Sequence, residues 1–557
     1  MDAPWPNEAE IVVVGAGNAA ICAALAAAET GVVPLVIEAA PEAERGGNSA
    51  YTAGAMRFAY ADLDEYAEVI DELSETDRRD VDFGRYTEDR FFDDLFRVTE
   101  NRCDPDLAEM LVRRSRATLA WMRRQGIRFQ PSLGRQAFKV NGKFRFWGGV
   151  ACEVVGGGPG LIDMLYAAAG RAGIRIAYET RMVGLETDDE GICGVRIEHG
   201  GRRRTIRTRA VILACGGFES NAEMRARYLG PDWDLAKVRG TRFNNGEGIS
   251  SALAIGAMPA GHWSGCHAVG WDLNAPAFGD LAIGDQFQKH SYPFGIMVNA
   301  RGERFLDEGA DFRNYTYAKY GREILMQPGM FAWQVFDAKV SHLLRDEYRI
   351  REVTKARGDT LEELAAGMEG VNAEGFLRTV ATFNEAVRED ITFDPNVKDG
   401  RGTAGLAVPK SNWANTIAEP PFVAYAVTCG ITFTFGGLKV NTEAMVENVA
   451  GVPIPGLFAA GELVGGLFAF NYPGGSGLTS GAVFGRQAGE SAARHILAAR
   501  EGRRSAQGLR MKISGIVDGM ESGVIRGVSL RLGDVHVGEA ACGGIFGVGR
   551  PPLRRQG

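Results

Sequence analysis

One short stretch near the amino terminus, Glu10 to Glu38, constrains the fold more than any other part of the chain. Ile11, Val12, Val13 and Val14 form an uninterrupted apolar run, as expected of a parallel strand buried on both faces. Gly15-Ala16-Gly17-Asn18-Ala19-Ala20 follows, then an Ala-rich segment to about Glu29, then a second apolar run, Val32 to Ile37, ending on Glu38. Strand, glycine turn, helix, strand and acid within about 30 residues describe a dinucleotide-binding βαβ unit. Gly15 permits the tight turn. Gly17 lets the backbone approach a pyrophosphate, with Asn18 and Ala19 opening the helix behind it. Ala20 takes the small position where helix and strand pack closely. The helix N-terminus offers N–H groups and a positive dipole end to phosphates. Glu38 can accept hydrogen bonds from a ribose diol.

Composition excludes several classes. The 557 residues carry a formal net charge of −8, which argues against a nucleic-acid partner. The eight cysteines are scattered without a CxxC pair, so neither an iron–sulfur cluster nor a zinc site is expected, and no metal site is assigned. Unpaired thiols suggest a reducing, cytoplasmic location. The apolar N-terminal run follows acidic rather than basic residues and carries the glycine turn, so it reads as fold, not as a signal peptide. No stretch is long and apolar enough to read as a membrane span.

Further glycine-rich turns recur along the chain. Gly46, Gly47, Asn48 and Ser49, with Gly54 beyond them, follow the second strand and suit contact with the ribityl or pyrophosphate part of a long cofactor. Residues 60–135 are charged and periodic and read as surface helices. The segment 174–197 alternates as strands, and the basic run Arg202 to Arg209 reads as a solvated hairpin. Ala210 to Leu213 is another buried strand, ending at Ala214, Gly216 and Gly217, and is expected to abut the cofactor. From about Thr241 Trp, His, Tyr and Asn become dense, which suits a lobe covering a substrate. Near Phe422 the glycine-rich strands resume. Gly456 to Ala460 leads into Gly461 and Glu462, and Ser476, Gly477 and Leu478 open a second helix whose N-terminus can face developing negative charge.

Together these segments resemble the flavoprotein family of fumarate reductases and succinate dehydrogenases over about residues 8–497. The resemblance rests on GAGNAA with Glu38, RGGNS at 45–49, ILACGG at 212–217, NNGEGISSALAIGA at 244–257, VNARGERFLDE at 298–308, GLFAAGE at 456–462 and GGSGLTSGAVFGRQAG at 474–489. It implies an α/β fold: a discontinuous Rossmann-like FAD-binding domain with an inserted α+β capping domain. The expected boundaries are 1–240 and 411–500 for the two FAD-binding parts and 241–410 for the cap. A tail, 501–557, is expected to lie outside the core or without order. Residues 39–60 contain no His, the residue the family uses for covalent attachment, so FAD is expected to be non-covalent.

The stretches 303–322 and 470–486 look most like the tricarballylate dehydrogenase branch, which implies oxidation of a saturated tricarboxylate by hydride transfer to flavin N5. The family's active-site His falls on His267 and its proton-transferring Arg on Arg313. Two other substrate-clamping positions fall at Thr432-Phe433 and on Tyr472, and the acid and Arg of the usual proton relay find Gln288 and Ser291. Tyr315, Tyr317, Lys289 and His290 are secondary candidates. Tyr472-Pro473-Gly474 also resembles the turn of 3-ketosteroid Δ1-dehydrogenases, in which the Tyr polarises a ketone. A fumarate reductase-like enzyme and a flavin redox sensor without turnover stand as further alternatives. The expected partners are a small anionic substrate and an electron acceptor, either a quinone or a redox protein.

Overall fold

The computed structural model describes residues 7–521 apart from 71–72, 148 and 150–151, together with two short strands, Ser529–Leu532 and Val535–Glu539. The strands that build the site are, in chain order, β1 (Ile11–Val14), β2 (Leu35–Ile37), β3 (Arg175–Ala177), β4 (Ala210–Leu213), β5 (Pro259–Asp272), β6 (Ile296–Val298), β7 (Phe331–Phe336), β8 (Lys355–Gly358), β9 (Phe422–Leu438), β10 (Met445–Glu447) and β11 (Pro453–Ala459). The helices that matter most are α1 (Asn18–Glu29), α2 (Gly157–Arg171), α3 (Tyr317–Leu325) and α4 (Ser476–Glu521).

The first sheet runs β10-β11-β4-β1-β2-β3. All its pairings are parallel except β10 with β11. The apolar runs read from the sequence are its central strands: every residue of β1 and β4 is buried. The chain leaves β1 toward β2 on one side and returns through β4 on the other. That reversal opens a crevice at the carboxyl ends of the strands, where α/β folds bind ligands. Gly15 closes the turn at φ +97°, and a Cβ there would lie 2.5 Å from the Ala214 carbonyl oxygen at the end of β4. The expected surface helices of 60–135 are present, but the longest, Pro105–Arg124, buries Leu107, Leu111, Leu119 and Trp121.

The second sheet is centred on β9, a 17-residue strand. It pairs antiparallel with β5, β7 and β8, and β6 extends the sheet beyond β7. The aliphatic and aromatic side chains of β6, β7 and β9 pack with Phe376, Val380 and Phe383 of the following helix, Ala373–Ala386. By its pairing β9 lies in the second sheet, and β10 and β11 bring the chain back to the first. The tail expected from residue 501 is helical where described, because α4 continues to Glu521. Apart from the two short strands, the remainder of that tail lies outside the described residues. The chain divides into two compact units, residues 1–496 and 497–557.

Candidate active site

One cleft joins the carboxyl end of the first sheet to the polar face of the cap. Gly15, Gly17, Asn18, Ala19, Glu38, Gly47, Asn48, Ser49, Ala214, Gly216, Gly461, Glu462, Gly477 and Leu478 line it on the sheet side. Gly17 caps α1 and contributes no side-chain hydrogen bond to the helix N-terminus. Ser49 Oγ accepts from the Asn18 N–H at 3.1 Å, and Asn18 Nδ2 donates to the Leu478 carbonyl at 2.8 Å, which ties the starts of α1 and α4 together. Glu38 is buried and accepts from the Ala40 N–H at 2.8 Å. Burial pushes its carboxyl up, against the downward pull of neighbouring backbone N–H groups.

The cap side holds a different chemistry. A bulge in β9 at Thr432 separates the pairs His267–Phe433 and Ala268–Ile431, and it sits at the residue that enters the cleft. His267 is 2% exposed, and both ring nitrogens lack a hydrogen-bond partner among the described residues. Its ring packs against Tyr472 at 4.8 Å, Tyr317 at 5.0 Å and Phe433 at 5.3 Å between centroids. Burial, and then the Arg239 charge, hold the imidazole well below its usual range, so it is neutral. The Tyr472 and Tyr317 hydroxyls hydrogen-bond to each other. Arg313, on the turn Arg313–Tyr315, is 8% exposed. It donates to His290 Nδ1 at 3.1 Å and to the Arg135 carbonyl at 2.5 Å, while its Nε has no partner among the described residues. Burial pulls its guanidinium down, and Arg135 adds to that. Arg239 is bound differently: it donates to Asp285 at 2.9 Å and to Thr432 Oγ1 at 3.0 Å. Burial works against its charge, but Asp285 together with Tyr317 and Tyr472 pushes it up.

A βαβ turn, a second helix start and an Arg/His/Tyr cluster on one cleft call for comparison with known proteins. The chain is 30% identical over 507 residues to a probable fumarate reductase, Ifc3, of Shewanella frigidimarina, covering 89% of this chain and 76% of that protein. A family model described as an FAD binding domain matches residues 10–478. The chain belongs to the FAD-binding flavoprotein family of the fumarate reductases. It is also 26% identical to a 3-oxosteroid 1-dehydrogenase of Mycobacterium tuberculosis, over 85% of this chain and 95% of that one. Among solved structures, the open conformation of a flavocytochrome c3 fumarate reductase superposes with a TM-score of 0.65 at 28% identity, covering 88% of this chain and 79% of that one. Like its relatives in this flavoprotein family, the protein is an FAD-dependent oxidoreductase acting on C–C bonds.

The cleft fits that flavoprotein cofactor on its own geometry. Two helix N-termini open on it, and at Gly17 an added Cβ would meet nothing closer than 3.5 Å in the protein itself. The fold itself therefore leaves room for a side chain at Gly17. His267, Arg313 and Tyr472 are brought together as expected, and so are the secondary candidates His290 and Tyr317. Three expected cofactor positions do not line the cleft. A Cβ on Gly46 would strike Ile162 of α2 at 2.8 Å, and one on Gly54 would strike Gly157 at 2.9 Å, so packing leaves no room for a side chain at either. Ser476 is fully buried and donates to the Pro473 carbonyl. Asn48 lines the cleft but holds the lobes together, donating to Glu219 at 2.7 Å and to the Thr432 carbonyl at 2.6 Å. Tyr315 turns to Asp94 at 2.6 Å, and Lys289 Nζ reaches the carbonyls of Gln286, Phe287 and Gln288. Sequence reasoning missed Arg239, Asp285 and Arg135. They carry no local motif and meet only through tertiary folding.

Proposed function

We propose that this enzyme moves two hydrogens across a C–C bond conjugated to a carbonyl or a single carboxylate, in a substrate whose remaining body is flat and apolar. The observation that carries this reading is His267: neutral, with both nitrogens unpartnered, and boxed by Tyr317, Phe433 and Tyr472 on the same cleft as Arg313. Such a box asks for a ligand with hydrogen-bonding oxygens and a planar apolar surface. Arg239 and Arg135 share Asp285, so Arg313 is the guanidinium left to a substrate among these three. That balance suits one carboxylate or carbonyl better than the three carboxylates of tricarballylate.

In this reading FAD, held non-covalently along Gly17, Glu38, Gly461 and Gly477, supplies the hydride acceptor or donor. Arg313 moves the proton at the carbon next to the carbonyl, aided by a burial that disfavours its charge. Of the Tyr472–Tyr317 pair, one hydroxyl donates to the other, which leaves one hydrogen free for the substrate oxygen. With His267 it holds the enolate-like charge. A quinone or partner redox protein completes the electron balance.

The test is anaerobic. Flavin reduced in the purified enzyme is mixed separately with cinnamate, 1,4-androstadiene-3,17-dione, fumarate and cis-aconitate, and the return of yellow absorbance is followed. Reoxidation by cinnamate or the dienone, faster than by fumarate or cis-aconitate, is the expected result. Reoxidation by cis-aconitate alone would return the substrate to the tricarboxylates. Failure with all four would favour a sensor.

A further inference from the structure

Behind Arg313, on the side away from the cleft, lies a second cavity of about 20 Å³. That is enough for one water molecule. His290 and Arg313 line both cavities and so form the wall between them. Phe138, Trp147 and Phe294 make most of the second cavity apolar, and Arg345 adds a guanidinium. Arg345 and Pro395 at its edge are partly exposed, which places it close to bulk solvent.

The contacts of Arg313 narrow the paths its proton can take. One guanidinium nitrogen donates to the Arg135 carbonyl, a group that only accepts. The Trp147 ring lies 5.4 Å from the guanidinium carbon and offers no acceptor lone pair. The other terminal nitrogen donates to His290 Nδ1 at 3.1 Å, the titratable partner among its hydrogen bonds. Because Nδ1 accepts, the neutral His290 carries its hydrogen on Nε2, and that nitrogen is buried without a partner among the described residues. Gln288 donates instead to Asp285, and the Ser291 hydroxyl accepts from the Arg345 N–H at 3.2 Å.

We propose that His290 is the proton-relay residue through which Arg313 exchanges its proton with solvent, by way of one water in the second cavity. This rests on the function proposed above. In the oxidising direction Arg313, neutral at that moment, takes the proton from the substrate carbon. Its terminal N–H then passes a proton to His290 Nδ1, and the imidazolium releases the Nε2 proton to the water. The guanidine is neutral again and one proton has moved from carbon to water; the Nε2–H tautomer returns when Nε2 takes a proton from the water and the ring, turned toward it, gives the Nδ1 proton back, with no net proton moved. Reduction runs the same steps backwards. Burial, and then the charges of Arg313, Arg239 and Arg135, disfavour the imidazolium, so it is short-lived, as a relay requires.

The test uses the holoenzyme and the reoxidation of its reduced flavin by cinnamate and by 1,4-androstadiene-3,17-dione, run in H2O and in D2O. His290→Gln keeps a similar shape but cannot carry a proton between two nitrogens. It is expected to keep its FAD and Tm, to slow reoxidation about 100-fold and to raise the solvent isotope effect. His290→Ala should be slow in the same way and regain rate with added imidazole. Arg313→Ala separates the two readings. If it is inactive while His290→Gln stays within about threefold of wild type, the relay is wrong and the proposed function stands. If Arg313→Ala is as fast as wild type, the proposed role of Arg313 falls, and the relay falls with it. A slow His290→Ala that imidazole does not rescue would also overturn the relay.

Discussion

At Gly17 and Gly15 two glycines, one residue apart, do different work. Gly17 has φ −77°, and an added Cβ would make only ordinary contacts, 3.5 Å from the Gly46 carbonyl oxygen and Ser49 Oγ. Gly15 has φ +97° and would drive a Cβ into Ala214. Gly17→Val is therefore expected to fold with the Tm of the wild-type apoprotein yet fail to retain FAD. Gly15→Val should lose several kcal/mol of stability, by about the size expected for backbone strain plus overpacking. Thermal melts of flavin-free protein, with flavin absorbance of the purified variants, check both, and a yellow Gly17→Val would refute the cofactor placement. Arg313→Ala should keep its FAD and slow turnover by about 10²- to 10⁴-fold, the usual share of a proton-transfer group. Steady-state rates with reduced viologen as donor measure it. That Gly15, Gly17 and Glu38 line one cleft was legible because their spacing along a single βαβ unit is local. Arg239 was not, since its meaning comes from Asp285, 46 positions away.

At the scale of elements, the turn that opens α4 depends on a brace from far along the chain. Arg57 is fully buried. It donates through Nε to the Gly474 carbonyl at 2.8 Å and through its backbone to the Gly475 carbonyl at 3.0 Å. The Gly474 N–H in turn donates to the Asn314 carbonyl at 2.9 Å, and Asn471 Nδ2 to the Tyr315 carbonyl at 2.6 Å, so the cap turn that carries Arg313 is bound to the same segment. Arg57→Met should keep much of the packing but lose the charged donors, including those to Tyr86 and Asp94. We expect a loss of about 3 kcal/mol, within the range for breaking buried charged contacts, and weaker FAD retention. Urea unfolding and flavin titration would check it; unchanged midpoints would show that the brace is dispensable. The elements themselves were largely legible. β1, β4 and β11 announced themselves as apolar runs ending in glycine. β9 was legible as a strand but not by its sheet, because a glycine-rich run carries no mark of its partner. Its pairing with β5 is set by residues more than 150 positions earlier.

For the whole molecule, buried titratable groups act on stability in opposite senses. His267 and His290 are held neutral, well below the usual histidine range, mainly by burial. Below about pH 6.5 the unfolded chain binds protons at these two rings that the folded chain does not, so their contribution is complete above that pH and is lost as pH falls. Glu219 and Glu462 do the reverse. Glu219 is fully buried and Glu462 half-buried where it lines the cleft; Glu219 is pushed well up by burial and by the Glu462 charge, so the folded pair holds a proton that the unfolded chain has released above its ordinary carboxylate range. That contribution is greatest in acid and fades as pH rises through the folded value. Between about pH 5 and 6.5 the pair therefore offsets one of the two histidine protons. Asn48 Nδ2 and Asn244 Nδ2 both donate to Glu219 Oε1, at 2.7 and 2.5 Å, so an amide oxygen can take its place. Glu219→Gln cannot hold the extra proton. Its stability should fall more steeply in acid than wild type, by about 1.4 kcal/mol per pH unit over that window, one proton's worth. Urea midpoints measured from pH 5 to 7 on flavin-free protein would read the slope directly. Parallel curves for the two proteins would mean that Glu219 is ionised in the fold and that the dyad holds no proton.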